Sequence, residues 1–182
     1  NALLKVMEEP PEGVLFLLTA DSLAGVLPTI RSRCVSFAIA PVSPADCARY
    51  CTAHGVDKKT AVLYSELFDG HIGTVLTAAR DKARTEQVDK AMELARAAQA
   101  GDSYTAAVLL APYEKDKAGA AALLRDLRAV AAAGLQGSPH APVQGQQAQR
   151  TLRLAEAAIQ RLGAQVNPKI VLTVFAARLA HA

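Results

Sequence analysis

The residue of this sequence best suited to chemistry is an arginine that lies between two apolar segments. Arg33 belongs to Leu-Pro-Thr-Ile-Arg-Ser-Arg-Cys at residues 27–34, after the apolar run 14–18 and before the apolar stretch 35–40. Pro28 fixes one backbone angle and donates no amide hydrogen bond, so it stiffens the segment that carries the arginine. A guanidinium is always charged and holds five N–H donors in one rigid plane, which suits it to phosphate groups. The plainer interpretation is a surface arginine in a local salt bridge.

Cysteine and histidine side chains form a second candidate site. Cys47 and Cys51 are one helical turn apart and His54 follows three residues later, so the three could make one metal-binding face. No fourth ligand is evident and the surrounding stripe is apolar, so core packing is favoured over a metal site. Cys34 is also expected to act as a small buried hydrophobic residue. An odd number of cysteines without paired spacing indicates reduced thiols and a cytoplasmic setting.

A third candidate is a group of basic residues, which are Lys58, Lys59, Arg80, Lys82 and Arg84. We expect these side chains to form a solvated face, and the alternative is that they touch DNA phosphates. The formal net charge of the 182-residue chain is +3, which is too small to indicate nucleic-acid binding by itself. No apolar run reaches the length that spans a bilayer, so no membrane segment is predicted.

The elements that must position Arg33 lie in residues 1–41. The first nine residues are predicted to be the end of a helix that Pro10 and Pro11 stop. The run 14–18 suits a strand covered on both faces, and residues 35–39 alternate like a short strand. Asp21 or Ser22 could cap a short helix between them. This part is predicted to be the tail of an α/β sheet domain, and its start inside a helix predicts a fragment truncated at its N-terminus.

Three short helices are predicted in residues 42–84. Ser43 and Pro44 are typical of a helix start, and that helix should run to about His54. Asp57 is expected to cap the second helix, which should end near residue 70. The third begins near Ile72. Three helices in so short a stretch indicate a small lid-type domain.

Residues 85–182 show helical periodicity throughout. Leucine, valine, isoleucine and alanine recur at spacings of three and four residues, as in 123–130 and 152–162. Residues 134–145 form the one clear predicted loop, and Asn167 and Pro168 begin the last helix. The pattern predicts a helical bundle. Since alanine and leucine are abundant and only 4% of the residues are aromatic, the whole chain is predicted to be mainly α.

Four motifs near the N-terminus together resemble a known family. They are Asn-Ala-Leu-Leu-Lys at residues 1–5, Glu-Glu-Pro-Pro at 8–11, the apolar run that ends in Thr19, and the arginine-bearing segment 27–34. This series resembles the second half of the ATPase domain of DNA polymerase clamp loaders, which are AAA+ proteins, and in particular the bacterial DNA polymerase III clamp loader. The motif match covers residues 1 to about 40. The resemblance implies the C-terminal part of an AAA+ α/β domain in 1–41, a three-helix lid in 42–84 and a helical collar for oligomerisation in 85–182.

The resemblance also implies roles for two residues. Arg33 falls on the family's arginine finger, which would reach the γ-phosphate of ATP held by a neighbouring subunit. Thr19 falls on the sensor 1 position, which reads the γ-phosphate within its own subunit; the alternative is a threonine that hydrogen-bonds its own backbone. ATP and magnesium would then belong to the neighbouring subunit, with no cofactor and no metal in this chain.

The chain departs from the family pattern at two points. It contains no Gly-x-x-x-x-Gly-Lys-Ser/Thr loop, so we expect no ATP binding and no ATP hydrolysis by this chain alone. Thr74 stands where ATP-binding members carry the sensor 2 arginine. A retained finger with a lost sensor resembles the delta-prime type of clamp-loader subunit, which contributes an arginine to its neighbour and is not a working ATPase.

The resemblance therefore implies a clamp-loader subunit that supplies Arg33 in trans while the sliding clamp is loaded onto primed DNA. Its expected partners are the other subunits of a hetero-pentamer, the sliding clamp and, through the complex, primed DNA, all in the cytoplasm and away from membranes. Two alternatives stay open at this point. One is a fragment of an ATP-hydrolysing gamma/tau-type subunit whose P-loop is truncated, and the other is a generic helical scaffold unrelated to replication.

Overall fold

The computed structural model is dominated by α-helices over the residues that it describes, which are 2–20, 22–40, 42–164 and 166–180. The α-helices in these ranges are α1 (Ala2–Glu8), α2 (Pro28–Arg31), α3 (Pro44–Ala53), α4 (Lys58–Leu67), α5 (Ile72–Arg80), α6 (Lys82–Ala100), α7 (Ser103–Leu110), α8 (Lys117–Leu135), α9 (Gly145–Gly163) and α10 (Pro168–Ala180). Single 3-10 turns add Leu23–Gly25 and Ala111–Tyr113. The prediction of a mainly α chain is confirmed.

The chain divides into two compact units, Asn1–Ala40 and Pro41–Ala182. In the first unit, α1 is followed by an extended segment, the 3-10 turn and α2. Ser22 caps the 3-10 turn, since its side chain accepts a hydrogen bond of 3.2 Å from the amide of Ala24. The alternative cap, Asp21, lies outside the described residues.

The predicted strands at 14–18 and 35–39 are wrong for the described residues, and with them the predicted sheet. Both segments lack regular secondary structure. A strand needs a neighbour for its backbone hydrogen bonds, and the described part of the first unit pairs neither segment with another. Their apolar side chains stay in solvent: Leu15 is 89% exposed, Leu17 87% and Ile39 96%. An apolar sequence pattern thus indicates side chains that favour burial, but it does not show which other element of the chain or of a partner would bury them.

The second unit begins with the three predicted short helices, α3, α4 and α5, and side-chain caps set the starts of the first two. The Ser43 hydroxyl accepts a hydrogen bond from the amide of Asp46 at 3.1 Å. The Asp57 carboxylate accepts from the amides of Lys59 and Thr60 at 3.0 and 3.1 Å. Each cap satisfies amides that the first helical turn leaves without a partner, so the predicted helix starts are confirmed.

Helices α6 to α10 form the predicted bundle, with a core of leucine, valine and alanine side chains. Leu94, Leu110, Leu123, Leu127 and Leu162 are all buried in it. One boundary differs from the prediction, because α8 continues through Gly134 to Leu135. A Cβ on Gly134 would stand 1.9 Å from the carbonyl oxygen of Val143. Gly134, which predicted a loop, is instead needed within α8, where the segment around Val143 passes close to the helix.

The three short helices and the bundle belong to one compact unit, and polar contacts join them. Arg84 of α6 pairs with Asp126 of α8, and its guanidinium carbon lies 5.8 Å from the centre of the Phe68 ring at the end of α4. The boundary predicted between residues 84 and 85 falls inside α6, so one helix would belong to both predicted domains. The division into three domains stays a prediction. Within the described ranges, no helix is both long enough and apolar enough to cross a membrane.

Candidate functional site: the Arg33 turn

Arg33 lies just after a single helical turn in the first unit. Pro28 occupies the first position of α2, where its fixed backbone angle suits the helix and its missing N–H costs nothing. Ser32 closes the turn, and the amide of Arg33 donates to the carbonyl of Ile30 at 3.1 Å. The predicted stiff loop is therefore a helical turn followed by a hydrogen-bonded turn. This geometry fixes the backbone from which the arginine side chain leaves.

The Arg33 guanidinium is held by three acceptors. Its Nε donates to Oε1 of Glu8 at 2.6 Å, and its Nη2 donates to the same oxygen. Its Nη1 donates to the carbonyl of Thr29 at 2.7 Å and to the hydroxyl of Ser32 at 3.2 Å. These contacts use four of the five N–H groups of a guanidinium, which leaves one on Nη2.

The Arg33 site is open to water on one side. The side chains of Arg33 and Glu8 are 33% and 46% exposed. The local salt bridge of the plainer interpretation is thus present, but it is partly solvated and weakly stabilising. Because the backbone of Arg33 is fixed and Glu8 is only weakly held, the guanidinium can bind an anion that approaches from solvent.

Glu8 is the functional neighbour that the sequence analysis missed. In the sequence, Glu8 is part of the Glu-Glu-Pro-Pro motif at the end of α1. The available signal was its chemistry: a carboxylate at the last residue of a helix meets the negative end of the helix dipole, which disfavours it unless a cation is near. Sequence alone gives no reason to choose Arg33 as that cation, 25 residues away.

Thr19 does not join Arg33 in a site. It lies in the exposed extended segment, and its hydroxyl makes no hydrogen bond within the described part of the chain. The alternative bond to its own backbone is not present there, and the sensor role of Thr19 stays a prediction. Thr74, at the predicted sensor 2 position, is exposed in the first turn of α5 in the second unit.

The alternative metal face of Cys47, Cys51 and His54 does not form. Both cysteines are fully buried on α3, whereas His54 is exposed and stacks on Tyr50 with ring centres 3.9 Å apart. Burial, together with the neighbouring Cys47 thiol, raises the pKa of Cys51 to about 11. The preferred interpretation of the two cysteines as core residues is confirmed. With its raised pKa, the Cys51 thiol is not ionised at neutral pH.

The group of basic residues is also divided by the structure. Lys58, Lys59 and Lys82 are exposed, and Arg80 donates to the carbonyl of His54 at 2.8 Å. Arg84 is different, because it turns inward to the carboxylate of Asp126 and its side chain is only 24% exposed. The prediction that Arg84 belongs to a solvated face is wrong, since the buried Asp126 carboxylate needs a cation.

Comparisons with known proteins place the Arg33 turn in a family context. Residues 1–43 match a family model described as DNA polymerase III, delta subunit. A curated relative, DNA polymerase III subunit delta' of Yersinia pestis, is 46% identical over 50 residues, which cover 28% of this chain and 15% of that protein. DNA polymerase III subunit gamma/tau of Mycobacterium bovis is 42% identical over 66 residues, 34% of this chain and 11% of that protein. No solved structure matches the chain.

The fold and the Arg33 site describe a mainly helical protein with an arginine-bearing turn in its N-terminal unit. The matches show that residues 1–43 of this chain are similar to the DNA polymerase III subunit family, and that parts of the chain are similar to a delta' and a gamma/tau subunit. The matched segments span less than a sixth of the length of either relative. Relatives of both the delta' and the gamma/tau type are matched, so the comparisons leave the choice between the two types open.

Proposed function

We propose that this chain is part of a clamp-loader subunit of delta-prime type, and that Arg33 contacts the γ-phosphate of ATP bound with magnesium in an adjacent subunit. The observation that carries the proposal is the Arg33 turn itself. The guanidinium stands on a proline-started turn, inside the segment that matches the family, with a third of its side chain exposed. The complex would load the sliding clamp onto primed DNA in the cytoplasm.

The chemistry of the proposed contact is electrostatic. During transfer of a γ-phosphoryl group, negative charge spreads over its equatorial oxygens and over the leaving oxygen. A guanidinium that arrives from a neighbouring subunit neutralises this charge and can donate two parallel N–H bonds, which lysine cannot do in the same geometry. The chain needs no nucleotide of its own for this role, and it would act only in the assembled complex.

The second unit would support assembly. Its helices enclose a continuous core that includes Leu94, Leu123 and Leu162. A self-contained bundle can associate with the bundles of other subunits while the first unit faces a neighbour. The lysines that stay exposed near α4 and α6 (Lys58, Lys59 and Lys82) keep a contact with DNA phosphates possible in the complex, as a secondary element of the proposal.

The test is ATP hydrolysis by an assembled clamp loader that contains Arg33→Ala. Hydrolysis at the site that Arg33 serves should fall by about 10³-fold, the usual effect of removing an arginine finger. Arg31→Ala is the matched control, because Arg31 is exposed on the same turn and its side chain makes no hydrogen bond or ion pair with the described residues. Unchanged hydrolysis in an Arg33→Ala complex of normal composition would refute the proposal and favour a generic helical scaffold.

The gamma/tau type is the second candidate, and one observation favours it. The match to the gamma/tau relative extends over 66 residues, against 50 for the delta' relative. Thr74 in place of a sensor arginine favours the delta-prime type instead. The gene sequence upstream of Asn1 decides between them: an intact Gly-Lys-Ser/Thr loop with magnesium ligands would establish an ATP-hydrolysing subunit, and a degenerate loop would establish the delta-prime type.

A further inference from the structure

We propose that Glu8 competes with phosphate for Arg33, and so sets how tightly the Arg33 turn engages a nucleotide on a neighbouring subunit. This inference rests on the proposed function, because it gives Glu8 a role in the contact that Arg33 is proposed to make. The starting point is the distribution of the guanidinium hydrogen bonds. Glu8 occupies the Nε–Nη2 edge, and Thr29 and Ser32 occupy Nη1.

The Nε–Nη2 edge is the part of the guanidinium that a phosphate needs. Bidentate recognition of an oxyanion requires two parallel N–H donors, and only one N–H, on Nη2, remains free in the described structure. The hydrogen bonds from Nη1 to Thr29 and Ser32 are expected to persist, because both acceptors belong to the same turn that carries Arg33. A phosphate therefore reaches two donors by displacing the Glu8 carboxylate.

The charges favour exchange over simultaneous binding. A carboxylate and a phosphate on one guanidinium would stand a few ångströms apart, and two like charges at that separation repel. The Glu8–Arg33 pair is partly solvated, with side chains 46% and 33% exposed, so it is weak enough to be displaced. A phosphate carries more negative charge than a carboxylate and forms stronger charge-assisted hydrogen bonds, so it can replace Glu8.

The position of Glu8 at the end of α1 favours its displacement from Arg33. It is the last residue of α1, where the helix dipole disfavours a carboxylate. Its neighbour Glu9 is equally acidic and exposed, yet the ion pair of the described structure is made by Glu8 alone. Glu9 is thus a matched control that removes the same charge one residue away.

The first experiment uses this chain by itself. The Arg33 Nε–H resonance is followed by ¹⁵N–¹H NMR while inorganic triphosphate is added, in the wild type, Glu8→Gln and Glu9→Gln. The dissociation constant for triphosphate should be about 2- to 5-fold lower in Glu8→Gln than in the wild type, since a partly exposed ion pair contributes up to about 1 kcal/mol. Glu9→Gln should match the wild type, and the difference should shrink in high salt. Equal constants for the wild type and Glu8→Gln would overturn the inference.

A second variant separates competition from damage to the fold. Glu8→Asp keeps the charge but shortens the side chain, so its carboxylate should lose the Arg33 edge and triphosphate affinity should rise as in Glu8→Gln. If Glu8→Asp binds triphosphate as the wild type does while Glu8→Gln binds it more tightly, the effect would come from the negative charge in general and not from the contact of Glu8 with Arg33. The inference would then fail.

The second experiment uses the assembled clamp loader and distinguishes this inference from the proposed function. Glu8→Gln should lower the KM for ATP about 2- to 5-fold and leave kcat nearly unchanged, whereas Arg33→Ala should lower kcat. An unchanged kcat in Arg33→Ala would refute the finger and leave the NMR result standing as an anion contact of unknown use. A raised KM in Glu8→Gln would refute competition and leave the finger in place.

Discussion

Replacing Asp126 by asparagine should destabilise the second unit, because this carboxylate anchors Arg84 where α6 meets α8. The Asp126 side chain is 6% exposed and that of Arg84 is 24% exposed, and Gln87 also donates to the carboxylate, at 2.8 Å. The contact is charge-assisted, and the Asp126 carboxylate is the first cause of the raised pKa of Arg84. Removing the charge leaves a half-buried guanidinium without its counter-ion.

The magnitude follows from the burial of the two partners. Breaking a fully buried ion pair by removing one partner costs about 3–5 kcal/mol. Arg84 retains access to water, and an amide oxygen can still accept one hydrogen bond, so we expect a loss of about 2 kcal/mol. With a urea dependence of about 2 kcal/mol per molar, the unfolding midpoint should fall by about 1 M while the slope stays constant.

The assay is urea unfolding followed by circular dichroism at 222 nm, which reports the helices of the second unit. Glu93→Gln is the matched control, since Glu93 is exposed on α6 and its side chain makes no hydrogen bond or ion pair within the part of the chain that the structure describes. The double variant Arg84→Met with Asp126→Leu should recover part of the loss, because an apolar pair leaves no unpaired charge and methionine can still pack on Phe68. Equal midpoints for Asp126→Asn and Glu93→Gln, or strictly additive losses in the double variant, would refute this account of the junction.

Three further predictions follow from single residues. Gly134→Ala should destabilise the chain by about 1–3 kcal/mol in the same urea assay, because its Cβ would collide with a backbone carbonyl, whereas Gly163→Ala, which meets open space, should be neutral or slightly stabilising. A thiol-reactive dye at pH 7 should label Cys34 well before Cys51, since Cys51 is fully buried with a pKa of about 11; equal native-state rates would contradict the buried assignment. Hydrogen bonds from Thr60 and Lys59 lower the pKa of Asp57 below 3.8. The Asp57 carboxylate therefore stabilises α4 above that pH, and this stabilisation is lost as the pH falls through the lowered pKa. Asp57→Asn should reduce the loss of helicity in an acid titration followed by circular dichroism.

The second unit could be predicted from the sequence because local rules decide its elements. Ser43 and Asp57 lie immediately before the helices that they cap, so capping chemistry located α3 and α4 correctly. The buried stripe of α8 follows the helical spacing of Leu123, Leu124 and Leu127. Gly134 misled the prediction, since glycine signals a loop locally and the contact that requires it comes from the chain folding back nine residues later.

The first unit could not be predicted to the same degree, because its pattern depends on partners beyond the segment. Apolar runs at 14–18 and 35–39 predict strands only if other strands pair with them, and the described structure pairs neither. The same holds for the site. The motif that contains Arg33 was visible, but its ion pair with Glu8 joins residues 25 positions apart, and no local spacing rule connects them.

The contrast between the two units bears on how the proposed function would depend on assembly. All the buried apolar side chains of the described residues belong to the second unit, while Leu15, Leu17 and Ile39 of the first remain in solvent. Substitutions in the second unit therefore act chiefly on the free energy of unfolding. A substitution at Glu8 removes a partly solvated ion pair, and one at Arg33 also removes its exposed hydrogen bonds to Thr29 and Ser32; such partly exposed contacts contribute little to stability. A large effect of these two residues must then arise where a phosphate replaces the carboxylate, so their consequences should be measurable in anion binding and hydrolysis while the unfolding midpoint hardly changes.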